Sequence, residues 1–270
     1  TIEHCMSEVV GVTLDEEGIV PDALADTVKR LEGEGRRVKL LYTTPNFQNP
    51  TGSTMPLERR KAVVETCQRH RILIVEDDAY GDIRFEGDRL PSLYALAGGK
   101  GAVFMGTFSK TMATGLRVGW VLAGTPIIEA LLRTRYDLGV SPWLQRTVFE
   151  FASTGVWERH VAKVNDVYRK KRDVMLAALD ERCSRYATWS TPAGGYFLWL
   201  TLAESVNPEA MYDAARRLGV AYVPGAAFHR GGGGQRNVRL AYSFVNEQEI
   251  PEAILRLGRA MEEAAQSTAK

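Results

Sequence analysis

The chain has 270 residues, room for one large domain or two modest ones at roughly 150 residues each. Its 34 basic and 33 acidic residues leave a net charge of +1, and 45% of positions are hydrophobic, a balance that excludes a polybasic nucleic-acid wrapper or membrane-surface binder. The longest uninterrupted apolar run is the six residues from Val174 to Leu179, against roughly 18 for a membrane-spanning helix, and the opening TIEHCMSEVV has neither the basic nor the apolar region of a secretory signal.

In chain order, VKLLYT (38–43) reads as a strand, 57–70 as a helix with Val63 and Cys67 on one face, and ILIVE (72–76) as a buried strand. AVFMG (102–106) and VGWVLA (118–123) follow as short apolar strands. Strands that do not alternate polar and apolar residues, separated by helices, predict an α/β class with a parallel sheet covered on both faces. Beyond about residue 125 the pattern turns helical, and Val161, Val164, Tyr168, Met175 and Leu179 stripe one long helix that links two domains. The rest mixes strands (196–202, 220–223, 237–242) with two helices, one striped by Ala210, Met211, Ala214, Ala215 and Leu218, the other by Ile250, Ala253, Ile254, Leu257 and Met261. This half reads as a smaller α+β unit, and the expected division is 1–157 and 158–270.

Three isolated cysteines, Cys5, Cys67 and Cys183, argue against a disulfide framework and for a reducing, cytoplasmic setting. His4, His70, His160 and His229 lack metal-ligand spacing, so no metal site is expected. The Gly231–Gly234 run reads as a flexible loop, because no helix N-terminus follows it to cradle a phosphate. The five tryptophans, Trp120, Trp143, Trp157, Trp189 and Trp199, are expected in a core or an interface.

Three segments carry candidate chemistry. GTFSKTMATGLRVGW (106–120) places Lys110 just after a strand, where ligands of α/β sheets sit. A lysine there is a candidate Schiff-base former, and Arg117 with the hydroxyls of Thr107 and Ser109 could hold a phosphate through charge-assisted hydrogen bonds. PNFQNPTG (45–52) follows the first strand and by itself is a turn. VEDDAY (75–80) ends a strand with two carboxylates, Asp77 and Asp78; alternation lets one of them meet a given ligand without saying which.

Taken together, the order N-P-T-G, D-x-A-Y, F-S-K with trailing G-L-R-x-G-W resembles the fold type I pyridoxal-phosphate aminotransferases of class I/II, in the group that includes 2-aminoadipate and kynurenine aminotransferases. The resemblance runs on through PAGGYFLWL (192–200), VPGAAF (223–228) and NVRLAYS (237–243). It implies a mostly parallel large domain plus a smaller C-terminal domain, pyridoxal 5'-phosphate as cofactor, and ping-pong transfer of an amino group from an α-amino acid to a 2-oxo acid. Carried over by position, Lys110 resembles the lysine that holds the cofactor and moves the substrate proton. Asp77 matches the partner of the pyridinium nitrogen, and Tyr80 and Asn49 match donors to the ring's phenolate oxygen. Thr107, Ser109 and Arg117 resemble the phosphate contacts, and Arg239 the arginine that grips the substrate carboxylate, a planar fork that lysine could not replace.

Two departures stand out. Thr114 occupies a place where the family commonly has proline. Relatives also carry, ahead of the matching region, a phosphate-cupping turn, an aromatic that stacks on the ring and an arm that helps form a homodimer, so the 270 residues read as most of an aminotransferase without its N-terminal part. Two rivals share the fold: a lyase or synthase, and the effector-sensing part of a winged-helix transcription regulator whose DNA-binding domain would lie upstream.

Overall fold

The computed structural model describes residues 7–136 and 139–268; His4 and Cys5 lie outside them. A small hairpin of β1 (Leu14–Asp15) and β2 (Gly18–Ile19) leads into α1 (Pro21–Gly33). Sequence reading did not single out α1, yet Pro21 starts it and Leu24, Val28 and Leu31 form its buried stripe. There follow β3 (Leu40–Thr43), α2 (Leu57–Arg69), β4 (Leu73–Asp77), α3 (Leu93–Leu96), β5 (Ala102–Thr107) and β6 (Gly119–Ala123). These strands form one sheet in the order β3-β4-β5-β6.

The first three strands of that sheet are parallel, but β6 runs antiparallel to β5, with Thr107 opposite Gly119 and Val103 opposite Ala123. The connection 108–118 is too short for the helical crossover a parallel neighbour requires, so the chain turns straight back. The expected covering of both faces is seen on one of them among the described residues. Leu41, Ile74 and Ala102 are buried against Val28 of α1, Val63, Val64 and Cys67 of α2, and Leu93 of α3. On the other face Leu40, Tyr42 and Val121 are exposed, and on the helix-bearing face Trp120 and Leu122 of the edge strand β6 are exposed as well. Trp120 and Trp143 accordingly lie outside the core.

After α4 (Thr125–Thr134) and α5 (Pro142–Ser153), the long helix α6 (Val156–Cys183) leads into the second half: β7 (Ala187–Trp189), β8 (Phe197–Leu202), α7 (Pro208–Arg217), β9 (Val223–Pro224), β10 (Asn237–Ala241) and α8 (Ile250–Thr268). The expected division at 157/158 falls in the first turn of α6. The second sheet is antiparallel throughout, in the order β7-β8-β10-β9. Its buried face, with Leu198, Leu200, Val238 and Leu240, packs on Met175 and Leu179 of α6, Met211 of α7, and Ile254 and Leu257 of α8. Of the expected strand 220–223 only Val223 enters β9. The residues before it close α7 instead: Gly219 takes a left-handed φ of 76° and Val220 N donates to Ala215 O at 2.8 Å.

The two halves meet where segment 83–86 pairs with 193–195, with Gly195 N donating to Ile83 O at 2.7 Å and Phe85 N to Ala193 O at 2.8 Å. Arg172 of α6 clamps the joint, donating to Pro192 O at 2.8 Å and Glu86 at 2.7 Å while lying over the Phe85 ring. The second glycine of PAGG is required here, because φ is 75° and a Cβ would stand 2.7 Å from Phe47 Cβ. Gly195→Ala should therefore cost about 3 kcal/mol or more in urea unfolding, against about 1–2 for Gly231→Ala, which has a similar φ and nothing within 4 Å. Equal losses would show that left-handed strain alone acts.

Candidate active site

The ends of β3, β4 and β5 and the outer ends of β8 and β10 converge on one region. A small aromatic cluster fills the joint, in which Tyr80 packs edge-on against Tyr196 at 5.6 Å and Phe197 at 5.7 Å. Lys110 sits in the turn after β5, its Nζ 6.0 Å from the Tyr80 ring centre. Its main chain is held from the opposite half by the Tyr196 hydroxyl, which donates to Lys110 O at 2.6 Å. Burial pushes the Tyr80 phenol above its usual range, Arg239 opposes this and Asp77 adds to it, so the hydroxyl keeps its proton and can donate.

The two carboxylates closing β4 part company. Asp77 Oδ2 accepts a hydrogen bond from Tyr42, whereas Asp78 Oδ1 accepts from Asn46 Nδ2 at 2.7 Å. Asn46 is in turn held by Arg60, a fully buried arginine whose other donors reach Met55 O, Pro91 O and Pro45 O. Burial lowers the proton affinity of Arg60, but four acceptors and the nearby Glu76 and Asp78 hold the cation in place. Asp78 thus belongs to the scaffold under the PNFQNPTG loop, and Asp77 keeps the outer sheet face. In that loop the Asn49-Pro50 peptide is cis.

Asn49 and Arg239 lie 190 residues apart, yet Arg239 Nη1 donates to Asn49 Oδ1 at 2.8 Å. The guanidinium is sandwiched near the rings of Phe197 (4.3 Å) and Phe228 (5.0 Å), and burial lowers its proton affinity, with Tyr80 opposing. Its Nε is buried and lacks any partner among the described residues. A desolvated cation with free donors is suited to an incoming carboxylate, whose two oxygens the planar fork can match.

The loop after β5 is arranged less tightly. Thr107 Oγ1 donates to Val118 O at 3.3 Å and accepts from Ser109 N at 3.1 Å. Arg117, left-handed at φ 53°, is exposed and reaches Ser109 Oγ and Thr114 O only at 3.5 Å. Its charge is therefore uncommitted, and the donor set of Ser109, Arg117 and local backbone suits a phosphate. Thr111 Oγ1, buried and without a partner among the described residues, stands in the same turn. Sequence reading missed Tyr42, Asn46, Arg60, Thr111 and Tyr196. Of these Tyr42 precedes the turn motif and Asn46 lies within it, but their partners follow only from the fold.

The element order, the paired sheets and the site at the strand ends define the fold type I pyridoxal-phosphate transferase fold. The family model for class I and II aminotransferases matches residues 2–257, and the chain belongs to that family. It is 36% identical to the aromatic-amino-acid aminotransferase 1 of Thermococcus litoralis over 258 residues, 95% of this chain and 62% of that protein. A kynurenine aminotransferase from Pyrococcus horikoshii, solved in complex with PMP, superposes with a TM-score of 0.88 at 35% identity, covering 94% of this chain and 63% of that one. The Bacillus subtilis HTH-type transcriptional regulator YdfD is 30% identical over 96% of this chain and 52% of its own length. The chain thus spans less than two thirds of these relatives. No helix among the described residues is long and apolar enough to cross a membrane. Cys67 and Cys183 are free and buried, and burial pushes both thiols up to about 12.

Proposed function

We propose that the protein of which this chain is part transfers an amino group between an α-amino acid and a 2-oxo acid with pyridoxal 5'-phosphate, as a cytoplasmic homodimer. The observation that carries this reading is the convergence of Lys110, Asp77 and Tyr80 with the Asn49–Arg239 pair, beside an uncommitted Arg117. The fit of the residues to the cofactor is chemical: an amine for its aldehyde, a carboxylate for its ring nitrogen, phenol and amide for its ring oxygen, and a cation with hydroxyls for its phosphate. When bound, the cofactor supplies an electron-withdrawing ring that stabilises negative charge at the substrate Cα.

The chain's own groups do the rest. Arg239 orients the substrate by its carboxylate so that the Cα proton faces Lys110 Nζ, which removes it and later returns a proton from the same side. Asp77 keeps the ring nitrogen protonated, Tyr80 and Asn49 hold the ring oxygen, and Thr107, Ser109 and Arg117 anchor the phosphate. In this reading 1–157 forms the cofactor-binding domain and 158–270 the small domain that carries Arg239 to the site. Likeness to YdfD supports a second reading, an effector-sensing domain of a DNA-binding regulator.

Steady-state transamination with varied amino donor and varied oxo acid separates the two. The aminotransferase reading expects double-reciprocal lines that stay parallel. Because both halves of a ping-pong cycle use the same carboxylate grip, Arg239→Ala should raise KM for both substrates by about 10-fold to 150-fold, the equivalent of a charged hydrogen bond worth roughly 1.5–3 kcal/mol. An unchanged KM for both would remove Arg239 from the substrate site, and absence of turnover in the complete protein would favour the sensing role.

A further inference from the structure

Tyr42 lies outside every motif that carries the family resemblance, yet it makes the only hydrogen bond that reaches the Asp77 carboxylate among the described residues. The reason is register. Tyr42 on β3 is paired with Val75 on β4, and Val75 and Asp77 share a face because strand side chains alternate. The phenol therefore lies along the strand towards the carboxylate, and its hydroxyl meets Oδ2 at 2.5 Å. Although the side chain is half exposed, desolvation around its hydroxyl first, then the hydrogen bond to Asp77 and its charge, push the Tyr42 phenol above its usual range, with Thr44 opposing. The hydroxyl consequently keeps its proton and serves as the donor, leaving the carboxylate as acceptor.

An aspartate's terminal torsion is soft, so a carboxylate without an anchor turns freely between orientations. Asp78 has its anchor in Asn46, which Arg60 fixes in turn. We infer that Tyr42 is a positioning residue for Asp77: it pins Oδ2 so that Oδ1 is presented to the protonated ring nitrogen of the cofactor. The inference rests on the role proposed above for Asp77. It adds a second layer to the site, built from the strand beside the one that bears the carboxylate.

Tyr42→Phe keeps the ring and removes only the hydroxyl. The test measures dissociation constants of the full-length protein for pyridoxal phosphate and for its 1-deaza analogue, in which CH replaces the ring nitrogen. Both are measured by equilibrium dialysis in the native and Asp77→Asn backgrounds. Tyr42→Phe should weaken pyridoxal phosphate about tenfold, or about 1.4 kcal/mol, leave the deaza analogue unchanged to within about twofold, and add nothing once Asp77 is Asn. An equal loss for both ligands would make Tyr42 part of the wall of the site and overturn the inference, as would an unchanged constant for pyridoxal phosphate. If Asp77→Asn itself does not discriminate between the two ligands, the proposed role of Asp77 falls and takes that of Tyr42 with it. If Asp77→Asn discriminates while Tyr42→Phe does not, only the inference about Tyr42 fails.

Discussion

Borohydride reduction of the holoenzyme followed by peptide mapping should find the pyridoxyl group on Lys110 and nowhere else. Lys110 follows β5 directly, faces the Tyr80 ring, and shares its turn with Ser109 and the uncommitted Arg117. Lys100, the nearest alternative in sequence, sits ahead of β5 at the opposite end of the strand. In the proposed mechanism Lys110 is both the covalent anchor and the base, so with Lys110→Ala transamination should fall by at least about 10²–10⁴-fold, the range general acid–base catalysis alone supplies. Addition of a small primary amine should restore a fraction of the rate by standing in for the missing base. A label on any other lysine would dismantle the assignment.

Asp77→Ala and Asp78→Ala should fail in different ways. The first removes the charge proposed to face the cofactor and should lower kcat by about 10²–10³-fold, as loss of one preorganised electrostatic group does elsewhere, while melting behaviour stays close to native. The second strips Asn46 of its acceptor beneath the PNFQNPTG loop and should cost about 1–3 kcal/mol of stability with a smaller effect on rate. Paired kinetic and thermal measurements on both variants decide it. The reverse ranking in kcat would mean that the D-D pair has been assigned the wrong way round.

Much of this was legible from residues alone, for identifiable reasons. Long stripes such as Met175 and Leu179 of α6 or Ile254 and Leu257 of α8 repeat with the helical period and so announce themselves. The segments 40–43, 73–77 and 102–107 were found because each carries a short apolar run bounded by polar or turn residues. The reversal of β6 was not found, since strand direction depends on what the connection can span and not on the strand's own composition. The brief strands β7 and β9 carry too few residues for a period to show. In the site, alternation left Asp77 and Asp78 open and only the resemblance chose Asp77; their separate partners, Tyr42 and Asn46, could not be read from the sequence. The pairing of Asn49 with Arg239 was equally invisible: nothing local in N-P-T-G or N-V-R-L encodes a partner so far away.

That distance also sets an order of events during synthesis. A ribosome adding about 5–20 residues per second needs about 10–40 s to travel the 190 positions from Asn49 to Arg239. During that interval the turn bearing Asn49 is already made; the glycines that cover Phe47, Gly194 and Gly195, come late in it, and the guanidinium partner only at its end. Phe47 must hold a left-handed φ of 48°, a conformation costing roughly 1–2 kcal/mol when nothing packs against it. The substrate end of the site is therefore completed only once β10 has been made, long after the turn that supplies its other half. A nascent chain released before that strand has all of the Asn49 turn and none of its guanidinium partner.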